Sequence, residues 1–318
     1  MTNTTIALRR QIGSAGDLKS VVRTMKASAA SAIGQYERSV AALGDYARTV
    51  ELGLGVCLRS VASDEAHADG PSPPTKNPVV HAVVFGSDQG LVGRFNEAVV
   101  EHALAQLAEG SATVRLWAVG ERVQARLQDA KRPPEEVFPV PGSVEQITRL
   151  VGQILLKVPV LGGQSLADPE ADSAVATAGQ ASNAPASLVL FYNRPSGSGY
   201  APASQRLLPL DGIWQRELAG QPWPTKQLPE VLGSGAQALR AFIREHLFVS
   251  LFRASAESLA SENASRLAAM QRADKNIGAL LTELGAEFNR LRQSGIDEEL
   301  FDVIAGFDAM APDAKSGS

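Results

Sequence analysis

A glycine-rich turn is the part of this sequence best suited to binding a phosphate. Residues 86–96 read GSDQGLVGRFN, directly follow the β-branched run 79–85 and precede a helical pattern. Turns that join a strand to a helix N-terminus are where backbone N–H groups hold phosphates. The glycine spacing, G-x3-G-x2-G, matches neither the dinucleotide fingerprint nor the P-loop, and no Lys-Ser/Thr pair follows. We therefore favour a tight turn in which Ser87 or Asp88 caps the next helix, with a nucleotide-binding α/β enzyme as the alternative.

The other reactive side chains are not arranged for catalysis. No G-x-S-x-G nucleophile elbow occurs, and a single cysteine, Cys57, excludes an internal disulfide and indicates a reducing compartment. The acidic run 297–299 (DEE) is typical of a solvated helix face. No metal-ligand spacing links the four histidines, His67, His81, His102 and His246. We therefore predict no catalytic residue, no metal site and no cofactor in this chain.

Two long helical patterns occupy the ends of the chain. No proline lies between Pro229 and Pro312, and an apolar seam steps there by four and three residues over five heptads. The seam consists of Ala256, Ala260, Asn263, Leu267, Met270, Asp274, Ile277, Leu281, Leu284, Phe288 and Leu291. Such a sustained spacing is typical of a coiled coil. The first 60 residues carry a similar pattern, with an eleven-residue repeat from Ala29 to Val40, so we predict that the two ends pair.

Between these patterns, strands alternate with helices. Short apolar runs at 79–85, 113–119, 137–140 and 187–192 read as strands, and 205–210 reads as an edge strand. This alternation implies right-handed crossovers and a mostly parallel sheet. The predicted fold class is thus a mix of α+β and α/β: a long antiparallel coiled coil of the N- and C-terminal helices plus a central Rossmann-like α/β domain.

Composition sets the domain boundaries that we predict. The linker is rich in Pro, Gly and Asp, and a low-complexity stretch of small polar residues is expected to be a mobile insert without chemistry. The predicted parts are a coiled-coil helix at 1–60, the linker at 61–78, the α/β domain at 79–210 with its insert at about 162–186, an irregular connector at 211–229 and the second coiled-coil helix at 230–318.

Charge and hydropathy narrow the choice of partners. Residues 1–60 carry eight Lys and Arg against four Asp and Glu, although the whole chain has a net charge of -4. A basic helix suggests an acidic partner surface, while basic residues this sparse, without interleaved aromatics, do not indicate nucleic acid. No apolar run is long enough to span a membrane, and no signal-peptide core is present. The apolar stretch 300–310 is either a frayed end or a peg for an apolar socket in another subunit.

Three stretches resemble the gamma subunits of rotary F-type ATP synthases. Residues 8–31 resemble the opening helix of that family, R-I-x-S-V…M-x-x-V-A-A-S, and residues 86–91 resemble its S-D-x-G-L-C-G-G-x-N turn. The closest match is ASENASRLAAM at 260–270, continued by DKN at 274–276 and NRLRQ at 289–293. Val92 and Arg94 depart from the Cys and the second Gly of the turn, and Asp297 stands where Thr is typical. The chain therefore resembles a divergent bacterial member.

The resemblance implies a function for the chain as a whole. It implies a non-catalytic central-stalk rotor that transmits torque between the membrane c-ring and the alpha/beta catalytic hexamer, coupling ion flow to ATP synthesis or hydrolysis. The implied partners are the alpha, beta and epsilon subunits and the c-ring, without nucleic acid. The implied location is peripheral, at the cytoplasmic face of the bacterial inner membrane and held there only through the complex. A coiled-coil scaffold or adaptor unrelated to rotation is the alternative.

The resemblance also assigns roles to individual residues. The implied contacts with the beta subunits are Met25, Lys26, Arg266, Gln293 and Glu299. The implied bearing tip consists of Phe301, Ile304, Phe307 and Met310, and the side toward the c-ring and epsilon contains Leu207, Leu208 and Leu210. On pattern alone, a solubilising charge on the helix surface is the favoured explanation for Arg266.

Overall fold

A computed structural model gives the helices and strands of the chain. In chain order they are α1 (Thr2–Glu65), β1 (Val79–Phe85), α2 (Phe95–Ala108), β2 (Thr113–Val119), α3 (Glu121–Asp129), β3 (Glu136–Phe138), α4 (Val144–Lys157), β4 (Ser187–Ser196), β5 (Gly199–Leu208), α5 (Gly212–Gly220) and α6 (Gly235–Met310). The described residues are 2–65, 79–108, 112–159, 187–197, 199–227, 229–230 and 235–310. The predicted insert at about 162–186 and most of the predicted linker lie outside them.

The two terminal helices are long because nothing in their sequences interrupts them. Neither α1 nor α6 contains a proline, and proline is the residue that most strongly breaks a helix. In α1, five buried residues follow one another at seven-residue intervals: Leu8, Ala15, Val22, Ala29 and Tyr36. The next buried residue, Ala47, comes eleven residues later, so the eleven-residue interval between buried residues runs from Tyr36 to Ala47, and not from Ala29 to Val40 as predicted.

The chain divides into two compact units, residues 1–28 with 267–318, and residues 29–266. In the first unit, α1 packs on α6 through a small apolar cluster of Ala15, Val22, Met270 and Ile277. Every predicted seam position from Met270 to Leu291 is buried or half-buried. This burial confirms the predicted seam along this part of α6.

The two helices of this first unit run in opposite directions. Lys26 contacts Asp274, while Lys19, about two turns of helix earlier in α1, lies beside Gly278, further along α6. Residue numbers thus fall along one helix as they rise along the other. The predicted antiparallel coiled coil is confirmed.

The second unit contains a five-stranded sheet of order β3-β2-β1-β4-β5. The β1, β2, β3 and β4 strands pair in parallel, and β5 returns antiparallel to β4. The strand order changes direction between β1 and β4, as it does in doubly wound sheets. The predicted, mostly parallel Rossmann-like sheet is therefore confirmed.

Alternate residues of the central strand enter two different apolar clusters. Ala82 and Val84 of β1 belong to the cluster that α2 and α3 cover, because successive side chains of a strand point to opposite faces. Val83 and Phe85 belong to the other cluster, which contains α4 residues together with Tyr36 of α1 and buried residues of α6. One face of the sheet is thus covered by the paired long helices.

The structure differs from the sequence-based expectations at several element bounds, including the following. The α1 helix continues to Glu65, beyond the predicted end at 60. Strand β5 begins at Gly199, not 205, because a hairpin after β4 pairs its small and polar residues. The predicted irregular connector contains α5, which starts where a carboxylate oxygen of Asp211 accepts a hydrogen bond from the N–H of Ile213 at 3.1 Å. None of the described helices is long and apolar enough to cross a bilayer.

Candidate partner-binding surfaces

The glycine-rich turn after β1 is closed by the side chain of Asp88. Its Oδ1 accepts a hydrogen bond from the N–H of Glu121 and its Oδ2 accepts one from the N–H of Val140, both at 3.0 Å. Glu121 opens α3, so Asp88 caps that helix, and the predicted cap on the next helix, α2, is wrong. The physical reason is that the carboxyl ends of β1, β2 and β3 meet at one edge of the sheet. Both carboxylate oxygens are therefore engaged within the chain.

Ser87 is likewise held by a neighbouring side chain. The Oδ1 of Asn96 accepts from the N–H of Ser87 at 2.9 Å, and its Nδ2 donates to the Ser87 hydroxyl at 2.9 Å. A side chain at Gly120 would lie 2.8 Å from the Ser87 carbonyl oxygen, and Gly120 has a φ of 109°. Only glycine combines that backbone angle with such a close approach. The N–H of Ser87, at the position where a phosphate loop donates to its ligand, is therefore already used.

Helix α6 occupies the edge of the sheet where doubly wound folds bind ligands. Such ligands lie beyond the carboxyl ends of the strands at the point where strand order reverses, which here lies between β1 and β4. The hydroxyl of Ser265 on α6 donates to the carbonyl of Val92 at 2.5 Å. The Nδ2 of Asn193 on β4 donates to the carbonyl of Phe95 at 2.9 Å. The turn after β1 thus fastens the sheet to the long helix.

Arg266 lies one turn of helix after Glu262 and forms an ion pair with it at 2.5 Å. The side chain of Arg266 is 13% exposed and that of Glu262 is 6% exposed. Burial raises the pKa of the Glu262 carboxyl, and the Arg266 guanidinium opposes that rise. Burial, followed by the charge of Glu262, also raises the pKa of the Tyr36 hydroxyl. Arg266 is therefore mainly engaged within this chain, and not a solubilising surface charge.

Met25 and Lys26 take part in the pairing of the two long helices. Met25 packs against the cluster of Ala15, Val22, Met270 and Ile277. The Nζ of Lys26 donates to Oδ2 of Asp274 at 2.9 Å, and Nε of Arg23 lies 3.8 Å from Oδ1. The hydrogen bond from Lys26 is the largest cause that lowers the pKa of Asp274, and the charges of Lys26, Arg23 and Lys19 add to it.

The later part of α6 presents the remaining predicted beta-subunit contacts and the predicted tip. Gln293 and Glu299 are exposed. Phe301 is 70% exposed and Ile304 is 48% exposed, which is unusual for apolar side chains of this size. Glu299 also borders an open groove that contains Ile6 and Leu291. The side chains of Phe307 and Met310 lie outside the described residues.

The residues predicted to face the c-ring and epsilon belong mostly to the hydrophobic core. Leu207 and Leu208 are buried in the larger apolar cluster, and Leu210 is half-buried against it. Their side chains hold the end of β5 in place. The exposed residues at this end of the strand are Arg206 and Pro209.

Sequence reasoning missed several of the polar contacts described here. The spacing of Glu262 and Arg266, four residues apart, could have indicated their ion pair. Asp274 stood in the predicted seam without a partner, and a polar residue at a seam position often fixes the register of a coiled coil. Trp214 also contacts His246, with ring centroids 4.7 Å apart. No spacing of residues in the sequence predicted this contact.

Comparisons with known proteins agree over nearly the whole chain. The sequence model of the family described as ATP synthase matches residues 4–310. An ATP synthase gamma chain of Paramagnetospirillum magneticum is 25% identical over 310 residues, covering 95% of this chain and 98% of the relative. An ATP synthase gamma chain of Fuscovulum blasticum is 28% identical over 313 residues, covering 95% of this chain and 98% of that one.

Solved structures share the fold. A chain from the Euglena gracilis mitochondrial ATP synthase rotor superposes with a TM-score of 0.58 at 15% identity, covering 93% of this chain and all of that one. A chain from the Tetrahymena thermophila mitochondrial ATP synthase, in a structure of its central stalk and c-ring, gives a TM-score of 0.51 at 18% identity, covering 80% of this chain and 99% of that one. Together with the match over residues 4–310, these likenesses place the chain in the ATP synthase family, among relatives that are gamma chains.

Proposed function

We propose that this chain is the central-stalk rotor subunit of a bacterial rotary ATP synthase. In this role it transmits torque between a membrane c-ring and a hexamer of alpha and beta subunits, and so couples ion flow to ATP synthesis or hydrolysis. The observation that carries the proposal is the antiparallel pairing of two long helices in a chain whose match to the family extends over residues 4–310. Gamma-chain relatives and rotor-like solved folds support it.

The coiled coil suits the transmission of torque. Ala15, Ala269 and Ala273 lie at or beside its seam, so the two helix axes can approach closely there, and interlocked side chains resist sliding and bending. Asp274, bonded to Lys26 within the seam, adds a polar contact that only one register satisfies. A stiff asymmetric shaft would meet each of three identical beta subunits with a different side. Each beta subunit would then hold a different nucleotide affinity, and rotation would exchange the three states.

The chain itself is proposed to be non-catalytic. The strongest candidate for a nucleotide site was the turn after β1, and its polar groups are bonded to the protein: Asp88 to Glu121 and Val140, and Ser87 to Asn96. In this proposal the chemistry of ATP belongs to partner subunits.

Partner contacts are assigned by surface. The proposed beta-subunit contacts are Met25, Lys26, Arg266, Gln293 and Glu299, and the proposed bearing is the exposed end of α6 around Phe301 and Ile304. The α/β domain at 79–210 is proposed to face epsilon and the c-ring. The complex would hold the chain peripherally at the cytoplasmic face of the inner membrane.

Co-expression tests the proposal. The full chain is produced with the alpha and beta subunits of the same organism, and the complex is purified through a tag on beta. We expect a complex with one copy of this chain per three alpha–beta pairs and with ATPase activity that requires all three subunits. A stable complex without ATPase activity would indicate a scaffold, and ATP binding by the isolated chain would indicate a nucleotide-binding enzyme.

A further inference from the structure

A cavity of about 330 Å³ lies within residues 29–266, beside the end of β5. Four elements form its walls: α1, the residues around the end of β5, α5 and α6. Leu207 and Leu210 contribute apolar wall. Its volume falls in the range of pockets that take small molecules.

Two arginines line this cavity, Arg206 from β5 and Arg253 from α6. Both are exposed, so each side chain is open to solvent. Among the described residues, neither guanidinium has a carboxylate within ion-pairing distance. Arg253 acts at longer range on Glu257 and Tyr192, whose pKa values it lowers against the rise caused by burial. Both guanidinium groups therefore have donors available for a bound anion.

Two carboxylates also line the cavity, and only one of them has its charge offset by a neighbouring group. Asp211 accepts the N–H of Ile213 at the start of α5, where the helix N-terminus offsets its negative charge. Glu51 of α1 is half-buried and makes no ion pair among the described residues. Glu51 is thus the cavity residue whose negative charge repels a bound anion, and removing that charge should strengthen anion binding.

An aromatic pair forms a further part of the cavity wall. The rings of Trp214 and His246 lie 4.7 Å apart at an interplanar angle of 39°, and both line the cavity. Burial, followed by the charge of Arg253, lowers the pKa of His246. The imidazole is therefore neutral near pH 7, where it carries one N–H donor and no charge.

We infer that this cavity binds a small molecule through an oxyanion, either phosphate or carboxylate, that Arg206 and Arg253 hold in front of the Trp214 wall. Guanidinium groups bind both oxyanions through paired hydrogen bonds. The same two arginines would therefore hold either a phosphate or a carboxylate, and the titration described next distinguishes the two ligands. The cavity borders Leu207 and Leu210, on the side proposed to face epsilon and the c-ring, but the inference does not depend on the proposed function.

Fluorescence titration of the full chain tests the site. Inorganic phosphate and citrate are titrated separately, at low ionic strength and constant pH, and the Trp214→Phe variant identifies the indole that reports binding. We expect a saturable change with at least one probe by about 10 mM, a concentration that nearly fills a site with a Kd of ~1 mM. Saturation with phosphate alone assigns a phosphate ligand, and saturation with citrate alone assigns a carboxylate ligand. No saturable change with either probe overturns the inference.

Charge variants locate the site. We expect Arg206→Gln and Arg253→Gln each to weaken binding by about tenfold, because each removes a charged hydrogen-bond donor. We expect Glu51→Gln to tighten binding by roughly threefold, because it removes a repulsive charge. Arg244→Gln, an exposed position of α6 outside the cavity, is the matched control and should leave binding unchanged. Equal affinities for all four variants would show that the anion binds elsewhere and would also overturn the inference.

Discussion

Single residues in the turn after β1 show how the polar groups of a phosphate-like motif are used within the chain. A carboxylate at this position could in principle hold a magnesium ion beside a nucleotide. In this chain both oxygens of Asp88 accept backbone N–H groups, from Glu121 at the start of α3 and from Val140 beyond β3. Asp88 thereby ties together three carboxyl ends of the sheet. Its role is to hold the sheet together, and its chemistry is that of a helix cap.

Replacing Asp88 by alanine should destabilise the chain. The change removes two hydrogen bonds to a charged acceptor and leaves the N–H groups of Glu121 and Val140 without it, so we expect a loss of about 2 kcal/mol in the free energy of unfolding. Urea denaturation of the isolated chain measures the loss as a lower midpoint. Asp17→Asn, an exposed acidic position of α1, is the control. A midpoint equal to that of the wild type would show that these two bonds do not contribute.

At the scale of elements, periodic patterns could be predicted and tertiary contacts could not. The seam from Met270 to Leu291 and the strands 79–85 and 113–119 follow from apolar spacing alone, because burial of one face imposes a period. Strand β5 was predicted to begin six residues too late, since its first part, GYAPAS, has no apolar run and is placed by pairing with β4. Helix α5 was missed because its nine residues need packing as well as the Asp211 cap.

For the predicted site residues, the sequence likewise indicated their positions on the elements but not their tertiary contacts. Family strings located Arg266, Gln293 and Glu299 on α6, but spacing gave no sign that Arg266 is half-buried. Its environment depends on Glu262 in the same helix and on Tyr36 of α1, more than 200 residues earlier. The burial of Leu207 and Leu208 depends likewise on how the end of β5 meets the core. Contacts between distant segments leave no periodic signal in the sequence.

A pair of glycine substitutions in α1 tests how α5 is held. A side chain at Gly55 would lie 2.6 Å from the carbonyl oxygen of Leu218 in α5, whereas a side chain at Gly44 would meet nothing within 4 Å. We expect Gly55→Ala to lower the melting temperature, because backbone has to move. We expect Gly44→Ala to raise stability by about 0.5–1 kcal/mol, the helix-propensity gain of alanine over glycine. Thermal unfolding by circular dichroism measures both, and changes of the same sign would contradict the packing of α5 on α1.

The pairing of α1 with α6 should depend on acid through Asp274. Its folded-state pKa lies below the ordinary value of 3.8, so its contribution to stability is complete above that value and is lost as the pH falls through the folded-state pKa. We expect Asp274→Asn to lower the melting temperature at about pH 7, and the difference from the wild type to shrink toward about pH 3. Asp297→Asn, exposed on the same helix, serves as the control. A difference that stays constant over this range would exclude the Lys26–Asp274 ion pair as its cause.

At the scale of the whole molecule, the long helix α6 packs differently in each of the two units. Within residues 29–266, the segment of α6 from Ala254 to Glu262 is buried on nearly every side, against α1 and against the sheet. Within the other unit, α6 buries only the seam that faces α1 and exposes its remaining surface. A subunit that carries torque needs both properties: a firm attachment of the shaft to its α/β domain, and a free shaft surface for the surrounding ring.

Removal of the end of α6 should weaken assembly with the partner subunits and leave the stability of the free chain unchanged. Phe301, Val303 and Ile304 are exposed, so a chain that ends after Leu300 should unfold at the same temperature as the full chain. The same truncation should weaken the complex with alpha and beta without abolishing it, because the exposed apolar end loses its socket while the shaft below remains. Calorimetry of the free chain and dissociation of the complex on dilution measure the two effects. A Phe301→Ser, Ile304→Ser variant should reproduce the weaker assembly at full length, since it removes the same apolar contact area. If the truncated chain instead melted earlier but assembled normally, the end of α6 would be a structural part of this chain and not a bearing for another.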